Sequence, residues 1–215
     1  MKLWIDRVKT ITYTLMCVVI IGFSFAIYGM YKESQAEAQE IEIQEVVETL
    51  EKITTYTRPD FERENNQTFI NSTVKCVDYI YNTTTDIFPV NLELLLAQAA
   101  LESAWGNSRF ALEGKNLFGI RTYDLREPHM LPSNKPKKWG VKVYEHECDS
   151  VQHYINILNN GTKFEKYREL RDNDITDSML LVETLGAYAS DIDYFPKVKR
   201  IIKMLREDYD IPKLN

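Results

Sequence analysis

The chain has 215 residues, enough for one ordinary domain with short additional segments, and 44% of these residues are hydrophobic. Residues 1–32 hold four Lys or Arg and one Asp, a net charge of +3, which leaves −9 for the remainder of a chain whose total is −6. A segment this acidic offers no basic stripe to neutralise phosphates, so the charge excludes nucleic acid as a partner.

The first feature along the chain is an uncharged run over residues 10–31, between Lys9 and Lys32. Its 22 residues can span a hydrocarbon core of about 30 Å as a helix. Three basic residues lie before the run, so residues 1–9 are expected to stay in the cytoplasm. We predict a single-pass signal anchor in the cytoplasmic membrane, with the rest of the chain on the outer side. A cleaved signal peptide is the alternative, although only Gly22–Ala26 offers a partial cleavage match.

Residues 32–67 are predicted to form a helical stalk and a linker. The segment is polar and rich in Glu, and four apolar residues recur along it with a 3-4-3 spacing: Ile43, Val46, Leu50 and Ile53. This spacing predicts a helix with one narrow apolar seam. The residues around Pro59 indicate a linker, and the main folded domain is predicted over residues 68–215.

The predicted domain is mostly helical, with two short strands. The apolar pattern predicts helices over Thr68–Asn82, Leu92–Ala104, Ser108–Leu112, Val151–Leu158, Met179–Leu185 and Pro196–Tyr209, and strands over Leu117–Tyr123 and Trp139–Tyr144. A proline-rich loop, Asp124–Lys138, joins the strands and suits a lid or cleft wall. Many helices with one small β-hairpin are typical of the lysozyme-like α+β class.

The helix predicted over Leu92–Ala104 is apolar on nearly every side, so it is expected in the middle of the domain. Gln98 and Glu102 interrupt it with an i,i+4 spacing, which places them on one face. Burial and the negative end of the helix dipole would both raise the pKa of Glu102. A carboxyl that stays protonated near neutral pH can act as a general acid. The alternative is a structural ion pair with Arg109 or Lys115.

Several motifs resemble one known family. The segment AQAALESAWGNSRFALEGKNLFGI (97–120) resembles the core motif of glycoside hydrolase family 73, the peptidoglycan N-acetylglucosaminidases with a mannosyl-glycoprotein endo-beta-N-acetylglucosaminidase-like domain. It is most similar to the bacterial Bax-type branch. The similarity continues in Val141–Leu158 and in Tyr188–Asp191 followed by Tyr194, and it covers about residues 70–207.

The resemblance implies roles for particular residues. Glu102 would be the catalytic acid, and Tyr188 would line the sugar cleft, with a half-buried core tyrosine as the alternative. Four further residues are predicted to bind substrate: Gln98, Asn116, Phe118 and Asp191. Packing under the cleft is the alternative for Phe118.

The second catalytic carboxylate is where the chain departs from the family. Many relatives carry another acid on the hairpin, but the corresponding stretch Lys135–Tyr144 contains no Asp or Glu. Glu127 on the preceding loop is our candidate, and a solvated loop charge is the alternative. Substrate assistance by the N-acetyl group would remove the need for a protein nucleophile, and the spacing of the two carboxyls separates retaining from inverting enzymes.

The predicted function is therefore hydrolysis of the β-1,4 bond after N-acetylglucosamine in peptidoglycan, by a monomer that needs no metal or cofactor. A lytic transglycosylase on the same fold and a non-catalytic peptidoglycan-binding module are the alternatives. Cys76 and Cys148 lie in the outer part of the chain, where an oxidising compartment permits a disulfide, and two buried thiols are equally compatible with the sequence.

Overall fold

A computed structural model provides the structure. It describes the following residues: 16, 22–25, 27–35, 37–48, 56–133, 138–186 and 193–214. The chain divides into two compact units, Met1–Lys52 and Ile53–Asn215.

In the first unit, the described residues between Gly22 and Glu48 are helical and exposed. Within the described part of the chain, no helix has both the length and the apolar character needed to cross a membrane. Just over half of the predicted anchor, residues 10–15, 17–21 and 26, lies outside the described residues. Two members of the predicted stalk seam, Leu50 and Ile53, also lie outside them.

The second unit is a mostly helical α+β domain with a small sheet. We number its helices α1 (Asn66–Thr83), α2 (Leu92–Ser103), α3 (Arg109–Leu112), α4 (Glu147–Asn160), α5 (Glu165–Asp172), α6 (Ser178–Leu181) and α7 (Tyr194–Asp208). Short 3-10 turns cover Thr162–Phe164 and Val182–Thr184, and the strands are β1 (Arg121–Thr122), β2 (His129–Met130) and β3 (Gly140–Lys142).

Helix α2 lies at the centre of this unit, as its sequence predicts. The Asn91 side chain caps it by accepting a 2.8 Å hydrogen bond from Leu94 N, so the helix begins directly after this cap, at Leu92 as predicted. Its apolar residues from Leu94 to Ala100 are almost completely buried, and it packs against α7. Arg206 of α7 donates two 2.7 Å hydrogen bonds to the carboxylate of Glu93, one to each oxygen. This bidentate pair fixes the register between the two helices that carry the candidate site.

Helices α1 and α4 pack together and are joined covalently. Cys76 of α1 and Cys148 of α4 form a disulfide with a Cα–Cα distance of 4.9 Å, across a sequence separation of 72 residues. The Cys76 and Cys148 side chains are almost completely buried in the core. The structure therefore selects the disulfide from the two states that the sequence left open.

The sheet has three strands, so the predicted two-stranded hairpin was incomplete. The strand order is β1-β3-β2, with both pairs antiparallel. The added strand, His129–Met130, comes from the loop predicted as a lid or cleft wall, and it pairs with Lys142 and Val141. The prediction missed it because a strand of two residues, in the short stretch between Pro128 and Pro132, is too short to show an alternating pattern.

Residues 56–65 were predicted as part of the linker, and here they contact the domain. Arg63 pairs with the buried carboxylate of Glu147 and donates to the carbonyl of Ala111 at 3.3 Å. Arg58 pairs with Asp149 at 3.1 Å. Both acidic partners lie in the first turn of α4, where the helix dipole also stabilises negative charge. Residues 56–65 therefore pack against the domain and do not form a free linker.

Candidate active site

The candidate site is built at the carboxyl end of α2, where Glu102 is the penultimate helical residue. The helix ends abruptly because Ala104, Trp105 and Gly106 all have left-handed backbone conformations, with φ of 52°, 57° and 79°. The Gly106 amide donates to the Ser103 hydroxyl at 2.7 Å. A Cβ at position 106 would approach the Phe69 ring to 2.9 Å, so glycine is required for both its conformation and its lack of a side chain.

Glu102 is half-buried, and its surroundings favour the protonated form. Burial raises the pKa of Glu102, whereas a hydrogen bond from Tyr194 and the positive charge of Arg121 oppose that rise. The alternative ion pairs do not form, because Arg109 pairs with Glu113 at 3.6 Å and Lys115 pairs with Glu147 at 3.3 Å. The carboxyl of Glu102 is thus kept available rather than committed to a salt bridge.

A chain of buried hydrogen bonds orients the group that contacts Glu102. The Tyr154 hydroxyl donates to Oε1 of Gln98, and Nε2 of Gln98 donates to the Tyr194 hydroxyl at 2.6 Å. Because the Tyr194 oxygen already accepts this bond, its own proton is directed toward Glu102. The position of the acid is therefore determined by α2, α4 and α7 together.

Gln98 belongs to the support of the site, since its side chain is fully buried. We predicted a substrate contact for it; the structure gives it two protein partners instead. Tyr194, which the sequence showed only as the end of a motif, is the residue that hydrogen-bonds Glu102 in the candidate site. The signal that could have identified it is its type: a tyrosine that begins an amphipathic helix and faces inward needs a buried polar partner.

Asn116 shapes the turn that passes beside Glu102. Its amide nitrogen donates to the carbonyls of Ile120 at 2.9 Å and Lys142 at 2.8 Å, and its oxygen accepts from the amides of Phe118 and Ile120. All four interactions are with backbone, and the side chain is buried. Asn116, which was predicted to bind substrate, therefore connects the turn to β3 through hydrogen bonds in this structure.

Phe118 and Gly119 occupy the same turn but face different surroundings. The Phe118 ring is buried and stacks on Tyr154 with ring centroids 4.1 Å apart, which matches the packing alternative of its prediction. Gly119 has a φ of 63°, and a Cβ there would lie 3.4 Å from Oε2 of Glu102. The glycine therefore keeps the space in front of the carboxyl open.

Arg121 follows this turn on β1 and brings a positive charge to the site. Its side chain is exposed, and its guanidinium carbon lies 4.0 Å from the centre of the Trp139 ring. The charge is close enough to lower the pKa of Glu102 against the effect of burial. The site thus combines one acid, one tyrosine donor and one stacked cation.

Glu127 lies in the loop between β1 and β2 and is bonded to side chains of the sheet. Its Oε2 accepts hydrogen bonds from Thr122 Oγ1 at 2.9 Å and from Lys142 Nζ at 3.1 Å. These two bonds lower the pKa of Glu127, so it is an anion near neutral pH. A paired carboxylate does not match the predicted mobile loop residue that swings over a cleft. Tyr188 and Asp191, the other predicted site residues, lie outside the described residues.

A metal-like cluster in the described part of the chain is explained by the disulfide. Ligand atoms of Cys76, His146 and Cys148 lie within 4.8 Å of one another. Both sulfurs are bonded to each other, so neither is available as a thiolate ligand. His146 Nδ1 accepts a 3.1 Å hydrogen bond from the Cys148 amide and caps α4.

Comparison with known proteins places this geometry in a family. The family model described as mannosyl-glycoprotein endo-beta-N-acetylglucosaminidase, or Glucosaminidase, matches residues 78–207. The chain belongs to this family. The match contains α2, the Asn116–Ile120 turn, the sheet and nearly all of α7, so the glucosaminidase region includes every described group of the candidate site.

Two individual relatives support the assignment. The chain is 27% identical over 173 residues to the exo-glucosaminidase LytG of Bacillus subtilis, covering 76% of this chain and 58% of that protein. It is 28% identical over 108 residues to the protein bax of Escherichia coli, covering 47% of this chain and 37% of that protein. The chain therefore spans about a third to three fifths of the length of these relatives.

A solved structure shares the glucosaminidase fold seen here. The catalytic domain of the autolysin Auto from Listeria monocytogenes is 25% identical, with a TM-score of 0.50, over 70% of this chain and 88% of that one. The shared region covers nearly all of that catalytic domain. The second unit therefore has the architecture of an autolysin catalytic domain.

Proposed function

We propose that this protein is a peptidoglycan hydrolase that cleaves the β-1,4 bond after N-acetylglucosamine, with Glu102 as the general acid. The observation that carries the proposal is the half-buried carboxyl of Glu102, with its raised pKa and its Tyr194 donor, inside the family-matched region. A protonated carboxyl at this position can deliver its proton to the leaving oxygen as oxocarbenium character develops. Family membership and the autolysin-like fold support the substrate class.

The protonation state required by this role follows from the site. Burial in a low-dielectric environment disfavours the carboxylate, so Glu102 retains its proton at a higher pH than an exposed glutamate does. The Tyr194 hydrogen bond limits this rise and stabilises the carboxylate that remains after proton transfer. The same donor therefore orients the acid and stabilises the negative charge that forms on it.

Glu102→Gln tests the assignment of the acid. The substitution keeps the size and hydrogen bonding of the side chain but removes the proton, so hydrolysis of purified sacculi should fall by roughly two to four orders of magnitude. Circular dichroism of both proteins controls for folding. A folded variant that solubilises sacculi near the wild-type rate would show that another group is the acid.

Product analysis tests the bond and the mode of cleavage. Mass spectrometry of digested glycan strands should show reducing-end N-acetylglucosamine, whereas a lytic transglycosylase would leave anhydromuramic ends. The relative LytG is described as an exo-glucosaminidase and the family description names an endo activity, so fragment length separates the two modes. Endo cleavage gives mixed fragments early in the reaction, and exo cleavage releases short products from strand ends.

We further propose that residues 10–31 anchor the enzyme in the cytoplasmic membrane, with the second unit on the outer side. The uncharged run and the basic residues before it support the proposal. Exposed large apolar side chains in the described part of this segment support it too: Phe23, Phe25, Ile27, Tyr28, Met30 and Tyr31. An anchor would keep a wall hydrolase at the inner surface of the wall.

A further inference from the structure

Arg121 is a cation at the candidate site that no acidic side chain neutralises in the described part of the chain. Neighbouring basic residues of the same sheet region are paired: Lys142 with Glu127 at 3.1 Å and Arg126 with Asp124 at 2.6 Å. Glu102 is close enough for Arg121 to lower its pKa, but no salt bridge joins them. The guanidinium therefore keeps its hydrogen-bond donors available to a ligand.

Trp139 holds this guanidinium in place. Arg121 lies opposite Val141 in the antiparallel pair, and Trp139 is two residues before Val141, which is the diagonal position on the same face. The guanidinium carbon is 4.0 Å from the centre of the indole ring, a stacked cation–π arrangement. A stacked guanidinium presents its edge outward, and that edge matches both oxygens of a carboxylate.

The overall charge makes a local cation important for an anionic ligand. Residues 33–215 carry −9, so the long-range field of this part of the chain repels negatively charged polymers. Peptidoglycan strands carry carboxylates, whereas polymers of N-acetylglucosamine alone carry none. A single unpaired arginine beside the acid can therefore distinguish the two classes of glycan.

We propose that Arg121, held by Trp139, is a carboxylate-binding subsite that selects muramic-acid-containing strands over neutral N-acetylglucosamine polymers. The inference rests on the proposed function, because it names a substrate group for the same site. The carboxylate has two sources in the wall: the lactyl group of muramic acid in strands without peptides, and the stem peptides in strands that retain them. The chemistry that Arg121 recognises is the same in both.

The test measures binding by isothermal calorimetry with the full chain carrying Glu102→Gln. This background stops turnover, and it removes any effect of Arg121 on the charge of Glu102. The ligands are peptide-bearing strands, peptide-free strands of matched length, and chitohexaose. Arg121→Gln is compared with Arg121→Lys and with Arg200→Gln, which removes the same charge from an exposed position of α7.

Arg121→Gln should weaken binding of the anionic strands about tenfold, as expected for the loss of one charge-assisted pair. Chitohexaose affinity should change less than twofold, and Arg200→Gln should change none of the three. Arg121→Lys should restore only part of the loss, because an ammonium lacks the planar fork. Weaker binding of peptide-free strands identifies the lactyl carboxylate, and weaker binding of peptide-bearing strands alone identifies the stem peptide.

Two results would overturn the subsite. Unchanged affinity for both anionic ligands would make Arg121 a solvated cation, and equal losses on chitohexaose would make it a general sugar contact. Failure of the proposed function is measured separately, as turnover: the wild-type chain would then release no reducing-end N-acetylglucosamine from the same strands, whatever the binding comparison at Arg121 gives. The two failures are therefore distinguishable.

Discussion

At the scale of single residues, the site depends on how Tyr194 limits the pKa of Glu102. Tyr194→Phe removes a donor that stabilises the carboxylate, so the pKa of Glu102 should rise further. In the proposed mechanism Glu102 works in its protonated form, so activity is expected to fall as pH rises through this pKa. The alkaline limb of the pH–kcat profile should therefore move to higher pH in the variant.

Tyr209→Phe is the matched control for this prediction. Its hydroxyl accepts a 2.8 Å hydrogen bond from Asn66 at the end of α7, so the substitution also removes one tyrosine hydroxyl. It should lower the free energy of unfolding without moving the pH profile. An unchanged alkaline limb in Tyr194→Phe would show that the tyrosine has a structural role only.

Glu127 is the second residue whose role a substitution can decide. Its pair with Lys142 is solvent-screened and contributes little to stability, so Glu127→Gln should fold normally. Its partners are Thr122 and Lys142 rather than the groups around Glu102, and the loss of kcat should stay below about tenfold, far less than for Glu102→Gln. Rates on sacculi for both variants give the comparison. Equal losses would establish a two-carboxylate mechanism and exclude substrate assistance.

At the scale of secondary-structure elements, the disulfide is the main link between α1 and α4. Closing a loop of 72 residues lowers the entropy of the unfolded chain. In the chain-entropy account this raises the free energy of the unfolded state by about 4 kcal/mol. Cys76→Ala with Cys148→Ala should lower the free energy of urea unfolding by roughly 2–4 kcal/mol. Reduction of the wild-type protein should give a similar loss, and a stability that is unchanged by both treatments would contradict the link.

Elements with a strong local signal were predicted, whereas β2, which is defined only by its pairing with β3, was not. Helix α2 matches its prediction to one residue, because its apolar run has a capping Asn91 at one end and left-handed residues from Ala104 at the other. The β2 strand has no pattern of its own and exists because Val141 and Lys142 pair with it. Its two residues carry too little local information to be found in a sequence.

The same distinction applies to the candidate site. Glu102 was identifiable because a carboxyl in an apolar helix is itself unusual, and burial does raise its pKa as predicted. The role of Tyr194 depends on contacts across 96 residues of sequence from Gln98, which no local pattern encodes. These contacts exist because α7 packs on α2 in the folded chain, where Arg206 of α7 binds Glu93 of α2.

At the scale of the whole molecule, the distribution of charge leads to a prediction about topology. Three basic residues lie before the uncharged run and Lys32 is the first basic residue after it, so the positive-inside rule predicts a cytoplasmic amino terminus and a second unit outside. Protease added to intact spheroplasts should therefore degrade the second unit. A cytoplasmic marker protein in the same cells should survive and shows that the membrane is intact.

A charge-changed variant makes this topology test sharper. Lys2, Arg7 and Lys9 are the basic residues before the uncharged run, and replacing all three with Gln removes the bias that orients it. The variant should expose less of the second unit to protease than the wild type does. Molecules of the variant whose second unit stays in the reducing cytoplasm should not form the disulfide between Cys76 and Cys148. The thiols of these two residues should then react with maleimide once the protein is unfolded. Full protection of the wild-type second unit in intact spheroplasts would contradict the outward orientation and the anchor proposed for residues 10–31.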